Sequence, residues 1–195
     1  MKKIVCLIAV VILCIVSATS LSEELHTIYN IDFGISQQEA MERLQEEGFD
    51  CFVSQYTDGD YIEVEDFVYI GKYPFNMSVE LKEGQVNSVN LLVSMAYNYG
   101  NADNKVAIIK DIYEYFESLF GMPKMIGIVG KGIDDVYATI ELALSDFRKV
   151  TENRSLNVKW GNICLSVSNP LDYSFFYMAI VFSSEVETFK EINLT

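Results

Sequence analysis

Apolar residues recur along this chain with two periods, and these periods predict its helices and strands. Spacings of three and four, typical of a helix with one buried face, occur over 37–47, Ala102–Phe120 and 134–149. Alternation of apolar and polar residues, or a high β-branched and aromatic content, predicts strands over seven ranges: Cys51–Tyr56, 61–72, 75–81, 86–95, 157–160, Ile163–Ser168 and 173–183. Because short turns join successive strands, the order predicts the α+β class, an antiparallel sheet of about six or seven strands with two or three helices packed on one face.

The first predicted helix has marked ends. Ser36 stands where an N-cap residue belongs, and Glu39 three residues later completes a capping box, in which each side chain binds an otherwise unpaired backbone N–H. Gly48 follows the last turn, where a left-handed residue ends many helices. Helix capping therefore explains the spacing of these three residues, and no nucleophile or base accompanies them.

The N-terminus has the parts of a signal peptide. Lys2 and Lys3 precede an unbroken apolar run over 4–16, and small residues follow. Such a run is too short to span a bilayer comfortably, although an uncleaved anchor is the alternative. We expect cleavage after Ala18 or Ser20, which leaves one domain over 21–195 in two loose halves, 21–100 and 101–195. The protein is then expected in the periplasm or outside the cell, without a stable membrane anchor.

Export would leave Cys51 and Cys164 as the cysteines of the mature chain. An even pair in an oxidising compartment can form a disulfide, and closing so long a loop would stabilise the fold by roughly 4–5 kcal/mol. The alternative is two buried, reduced thiols that act as small apolar side chains. A domain of this size can bury enough core without a covalent link, so both interpretations stay open.

Acidic residues outnumber basic ones by 28 to 14, so the formal net charge is −14, and removing Lys2 and Lys3 takes it to −16. A chain of this charge repels nucleic acid and anionic membrane surfaces. The acids are dispersed and half of the residues are apolar, which favours a folded domain over an acidic tail.

Catalytic and metal-binding patterns are scarce. The single histidine, His26, lies just after the expected cleavage site, so neither a Ser–His nor a Cys–His pair has a base. The acidic residues between 58 and 66 lack the spacing of a calcium loop, and 127–132 departs from the phosphate-loop pattern, which favours a flexible loop there. We therefore expect no cofactor and no metal. Two converging carboxylates are the hydrolytic alternative.

The segment 33–39 (FGISQQE), with Gly48 at the helix end and a hairpin of amphipathic strands after it, resembles the β-lactamase-inhibitor-protein-like fold, which small lipoproteins of the outer-membrane assembly machinery share. The resemblance covers about 31–94. It implies an exported bacterial domain that binds proteins through a sheet face and is not an enzyme. Neither Cys6 nor Cys14 follows a small residue, which departs from the lipoprotein branch.

Two predicted strands carry apolar residues on both sides, which suggests an aromatic sheet surface. In one, tyrosines and a phenylalanine alternate against aliphatic residues over 61–70, and a similar alternation runs through 173–183. Aromatic rings on a rigid sheet suit protein recognition because they offer large contact area at low entropy cost. The predicted interface consists of Tyr61, Phe67, Tyr69, Phe175 and Tyr177. The alternative is a strand covered on both faces.

These patterns together predict an exported, non-catalytic binding domain whose partner is another protein. The alternatives are a secreted hydrolase that uses two carboxylates and a purely structural component of the cell envelope.

Overall fold

The computed structural model describes residues 27–57, 59–93, 100–130, 133–149, 154–168 and 177–184. The predicted signal peptide, His26 and Phe175 lie outside these ranges. Three helices and twelve strands occupy the described residues: β1 (Thr27–Ile28), β2 (Ile31–Asp32), α1 (Gln37–Glu46), β3 (Cys51–Tyr56), β4 (Gly59–Val64), β5 (Val68–Ile70), β6 (Tyr73–Lys82), β7 (Gln85–Val93), α2 (Ala102–Phe120), β8 (Met125–Gly130), β9 (Ile133–Val136), α3 (Ile140–Phe147), β10 (Arg154–Trp160), β11 (Ile163–Ser168) and β12 (Tyr177–Ser183).

Ten of these strands form one antiparallel sheet. Its order is β3-β4-β6-β7-β12-β11-β10-β8-β9, and β5 pairs with β6 beyond the end of β4. β1 and β2 form a separate two-stranded ribbon. The α+β class and the antiparallel sheet are therefore confirmed, but the sheet is larger than the six or seven strands that the sequence predicts.

The sheet consists of two halves with the same plan. In the first half α1 precedes the strands β3, β4, β6 and β7, and in the second half α2 precedes β8, β10, β11 and β12, with β9 and α3 inserted after β8. The last strands of the two halves, β7 and β12, pair with each other, so that Leu91 lies opposite Ile180. The two halves thus meet in the middle of one continuous sheet.

One hydrophobic core lies between the helices and one face of the sheet. On β6 the side chains of Phe75, Met77 and Val79 are buried in it, whereas Asn76 between them is exposed, as strand geometry dictates. The buried stripe of α2 packs on the same face, where Phe116 contacts the rings of Trp160 and Phe182. Each fully buried aliphatic or aromatic side chain contributes about 1.5–3 kcal/mol.

Helix α2 has the bounds that the sequence predicts. Asn101 accepts a hydrogen bond from the backbone N–H of Asn104 (3.1 Å), and the helix ends at Gly121, whose φ of 75° a residue with a Cβ rarely adopts. The indole Nε1 of Trp160 donates to the Gly121 carbonyl (2.9 Å), which fixes this end of the helix over the sheet. Leu119, which the spacing of three and four places on the apolar stripe, is exposed because Phe120 beside it packs against the core in its place.

The segment before α1 pairs with the β6–β7 hairpin. Backbone N–H groups of Gly34 and Gln37 donate to the carbonyls of Val86 (2.8 Å) and Gly84 (3.1 Å). Ser36 accepts from the Glu39 N–H (3.3 Å), as an N-cap does, whereas the Glu39 carboxylate binds Arg43 (2.7 Å) and not the N-cap backbone. The capping-box prediction is therefore right for one of its two hydrogen bonds. The second does not form, because the Arg43 guanidinium, four residues after Glu39, competes for the carboxylate.

Two predictions for the second half are wrong. Residues Met125–Gly130, predicted in part as a flexible loop, form β8, which pairs with β10 so that Ile128 lies opposite Leu156. The helix predicted over 134–149 is only Ile140–Phe147, capped by Thr139, and Ile133–Val136 forms β9. Consecutive aspartates resemble a helix start, but Val136 is exposed and the cap that forms is the later one.

The pairing of β7 and β12 allows a direct test of which face is the core. Leu91→Ala should lower the free energy of unfolding by about 2–5 kcal/mol, because Leu91 is fully buried between the two halves. Leu92→Ala, on the opposite face of the same strand and only half-buried, should cost about 1 kcal/mol or less. Urea titration of both variants measures the difference, and equal losses would contradict one-sided packing.

Candidate functional site

The sheet face opposite the helices, here named the open face, carries three zones of different chemistry. The strand registers place aromatic residues on β3, β4 and β5, polar residues on β6 and β7, and mostly small residues on β12, β11, β10 and β8. None of the residues of this face belongs to the hydrophobic core cluster. Its side chains are therefore not needed for the contact between helices and sheet.

The aromatic surface, defined as Phe52, Tyr56, Tyr61, Phe67 and Tyr69, lies at one margin of the open face. Its members other than Tyr61 are 44–60% exposed. Tyr56 and Tyr61 meet edge to face, with ring centroids 5.5 Å apart. Exposed rings gathered at one margin of a sheet are typical of interaction surfaces.

Three members of the aromatic surface, Tyr61, Phe67 and Tyr69, are predicted from the sequence. Tyr61 and Tyr69 face the other side of the sheet from the buried Ile62, Val68 and Ile70, as the alternation requires. Phe52 and Tyr56 are the members that the sequence interpretation missed. Their signal is the same alternation in β3, where Phe52, Ser54 and Tyr56 alternate against Cys51, Val53 and Gln55.

Glu63 lies within the aromatic surface. The register places it opposite Phe52 on β3 and opposite Ser78 on β6. Burial raises the pKa of its carboxyl group above the ordinary 4.5, while a hydrogen bond from the Tyr56 hydroxyl acts in the opposite direction. A carboxylate that has lost water in this way gains from an added positive charge or hydrogen-bond donor.

Tyr177 does not join the aromatic surface. It lies on the open face at the start of β12, half-buried, and burial raises the pKa of its hydroxyl. Strands β6 and β7 separate β12 from β4, a distance of roughly 14 Å. The continuous face predicted from Tyr61 to Tyr177 is therefore interrupted, and its other member, Phe175, lies outside the described residues.

The side chains of the polar zone, on β6 and β7, form hydrogen bonds with one another. The Glu80 carboxylate accepts from the Ser88 hydroxyl (2.6 Å) and the Asn87 amide (3.4 Å), and the Asn90 amide donates to Ser88 (3.3 Å). Glu63 and Glu80 lie on neighbouring strands at diagonal positions, which makes them the best-placed carboxylate pair on this face. Because Glu80 already accepts two hydrogen bonds, the zone is a structural hydrogen-bond network.

The small-residue zone contains an unpaired polar atom. Asn157 on β10 lies between Gly127 and Ser166, is only 4% exposed, and its Oδ1 has no hydrogen-bond partner among the described residues. Nearby, the hydroxyls of Ser155 and Ser168 are 3.0 Å apart and bind each other. A buried oxygen without a donor costs about 1–3 kcal/mol.

The two predicted disulfide partners lie far apart. Cys51 is on β3 with its side chain toward the core, and Cys164 is on β11 on the open face, with four strands between them. That separation is roughly 24 Å, whereas a disulfide requires Cα atoms within about 7 Å. The structure therefore does not form the predicted bridge, and both cysteines are free. Burial raises the pKa of the Cys164 thiol to about 12, which keeps it protonated and unreactive.

Two of the acidic residues noted between 58 and 66, Asp60 and Glu63, do not converge, and Asp58 lies outside the described residues. Asp60 lies opposite Leu81 and Glu63 opposite Ser78, so that alternation sends them to different faces of β4. Across the described ranges, no three Asp, Glu, His or Cys side chains form a group that could hold a metal ion. No helix in the same part of the chain is both long and apolar enough to cross a membrane.

The environment of Glu63 gives a prediction on stability and pH. Since the folded-state pKa is raised, the ionised carboxylate lowers stability above that pKa, and the penalty disappears below the unfolded-state pKa near 4.5. Glu63→Gln should therefore raise the free energy of unfolding at pH 7.5 more than at pH 3.5, as measured by urea titration. The exposed Glu65→Gln is the control for net charge. A gain for Glu63→Gln that is no larger than the control's at pH 7.5 would contradict the prediction.

Comparisons of this chain with protein-family models, with curated proteins and with solved structures find no match. The properties of its own surface are therefore the basis for a functional proposal.

Proposed function

We propose that this protein is an exported, non-catalytic domain that recognises another protein through the aromatic surface of its open face. The observation that carries the proposal is the exposure of four rings at one margin of the sheet, where Phe52 and Tyr56 lie on β3, Tyr69 lies on β5 and Phe67 directly precedes β5. Export rests on the signal-peptide pattern of residues 1–20. The resemblance of 33–39 to protein-binding exported domains points the same way.

The aromatic rings stand on a rigid support. Beneath Tyr61 and Tyr69, on the other side of β4 and β5, Ile62, Val64, Val68 and Ile70 are buried in the core. The backbone of β4 and β5 is therefore held by packing, and little conformational entropy is lost there when a partner covers the rings. Preorganised tyrosine and phenylalanine side chains are common among the residues that dominate interface energies.

The aromatic surface also has a polar anchor. Glu63 lies among the rings with a raised pKa, and its ionised form gains when a basic group of a partner approaches. Rings around a charged group exclude water from the contact, which strengthens the interaction.

The hydrolase alternative has weaker support. Its best carboxylate pair on this face is Glu63 and Glu80, and Glu80 is already hydrogen-bonded to Ser88 and Asn87. The structural-envelope alternative explains neither the exposed rings nor their position at one margin of the sheet. Neither alternative requires the exposed rings to hold a partner protein.

Ring truncation combined with affinity capture tests the proposal. The mature chain, immobilised, should retain one protein from an envelope extract of its own organism. Tyr69→Ala and Phe52→Ala should each weaken retention about thirtyfold, because truncating a ring in the centre of an interface costs about 2 kcal/mol. Their melting temperatures should change little, since both side chains are exposed.

Tyr115→Ala is the matched control. Tyr115 is 45% exposed, like the members of the aromatic surface, but lies on α2. It should leave retention unchanged. Equal loss in all three variants, or in none, would contradict recognition through the aromatic surface.

A further inference from the structure

Apart from the three-residue β5, which pairs with β6 alone, the outer strands of the described sheet are β3 and β9, and they differ in how their free edges are protected. β9 has four residues, two of them aspartates, and Asp135 forms an ion pair with Arg154 (3.7 Å). β3 has six residues, CFVSQY, without a charged residue or a proline. Short length, charge and proline are the usual means of preventing a strand from pairing with another chain, and β3 has none of them.

The hydrogen bonds of β3 show which backbone groups face outward. The Glu65 N–H donates to the Asp50 carbonyl (2.9 Å), so Asp50 and Glu65 form a hydrogen-bonded pair of the antiparallel ladder. Such pairs alternate with pairs that do not bond to each other. The N–H and C=O groups of Cys51, Val53 and Gln55 therefore point away from β4, and no other described strand pairs with this side of β3.

The chain around β3 is strongly acidic. Residues 44–71 contain eight acidic residues and no lysine or arginine. The preceding cation, Arg43, is already bound to Asp32 and Glu39 at 2.7 Å each. A positively charged segment is attracted to this margin, whereas a second copy of the chain brings the same acids and is repelled.

We propose that β3 is a docking edge on which an extended, basic segment of the partner protein adds as the next strand of the sheet. This inference rests on the proposed function and specifies the partner. Backbone hydrogen bonds to Cys51, Val53 and Gln55 supply affinity.

Alternation along the added strand defines the side chains that fit. Residues facing the open face lie beside Phe52 and Tyr56, where lysine or arginine stacks on the rings and approaches Glu63. Residues facing the other side lie beside Cys51, Val53 and Gln55, where small or β-branched side chains fit. The partner segment therefore alternates basic and β-branched residues.

A synthetic peptide tests the edge directly. Acetyl-KVRVKVR-amide should bind the mature protein in isothermal titration, and acetyl-EVEVEVE-amide should not. Binding should weaken as salt is raised, because the attraction is electrostatic. In hydrogen exchange, the amides of Cys51, Val53 and Gln55 should exchange rapidly in the free protein and become protected by the basic peptide. Equal binding of both peptides, or unchanged exchange, would overturn the proposal.

Changes to the backbone of the peptide and to the backbone of β3 distinguish strand addition from simple charge attraction. In an added strand that is antiparallel to β3, as every pair of the described sheet is, N-methylation of the valines removes the N–H groups that face β3 and should weaken binding at least about tenfold, whereas N-methylation of the basic residues should not. Gln55→Pro removes an outward N–H and leaves the β3–β4 ladder in place, so it should act like valine methylation, with Gln55→Thr as control. If the Gln55→Pro variant does not fold, the methylated peptides still distinguish strand addition from charge attraction.

The outcomes separate this inference from the proposed function. Loss of partner capture in Tyr69→Ala, with capture intact in a folded Gln55→Pro, would overturn the docking edge and leave the aromatic surface standing. Capture intact in both would overturn both. Sedimentation that shows a dimer, lost in Gln55→Pro, would identify a second copy as the occupant and overturn the basic partner.

Discussion

The packing of the hydrophobic core between the helices and one face of the sheet is the constraint on which the structure depends. Every second residue of the central strands packs against the helices, and α1, α2 and α3 contribute their apolar sides to the same core. The described residues of the other face lie outside this core cluster. Its exposed members, such as Phe52 and Tyr69, can therefore vary with little cost to the fold, whereas Cys164, Asn157 and Ser166 are buried there. This separation explains how one sheet carries a core of Phe75, Leu91 and Ile180 and, on its reverse, rings, carboxylates and amides.

The sequence predicts those parts of the fold that depend on local spacing. The bounds of α2 follow from its apolar stripe, and the β6–β7 hairpin follows from clean alternation about the Glu83-Gly84 turn. β8 was missed because Gly127 and Gly130 interrupt its apolar pattern, although pairing with β10 supplies the hydrogen bonds that favour a strand. Pairing between segments that are far apart in the chain produces no pattern within either segment of the sequence.

The candidate site was predictable to the same extent. Alternation assigns Tyr61 and Tyr69 to the side opposite Ile62 and Ile70, and the structure agrees. Whether Tyr177 lies beside them depends on strand order, which places two strands between β4 and β12. The distance between Cys51 and Cys164 depends on the same long-range order. Spacing in the chain predicts which side a residue faces, and only the assembled sheet shows its neighbours.

The position of β12 has a consequence for how the chain folds. Leu91 and Ile180 are direct neighbours in the sheet but are 180 − 91 = 89 positions apart in the chain. During synthesis the first half emerges long before β12, and until then the β12 side of β7 has no strand to pair with. Such long-range pairing slows folding and exposes unpaired edges to other chains. The late arrival of its last strand therefore leaves the β7 edge open to pairing with other chains until β12 occupies it.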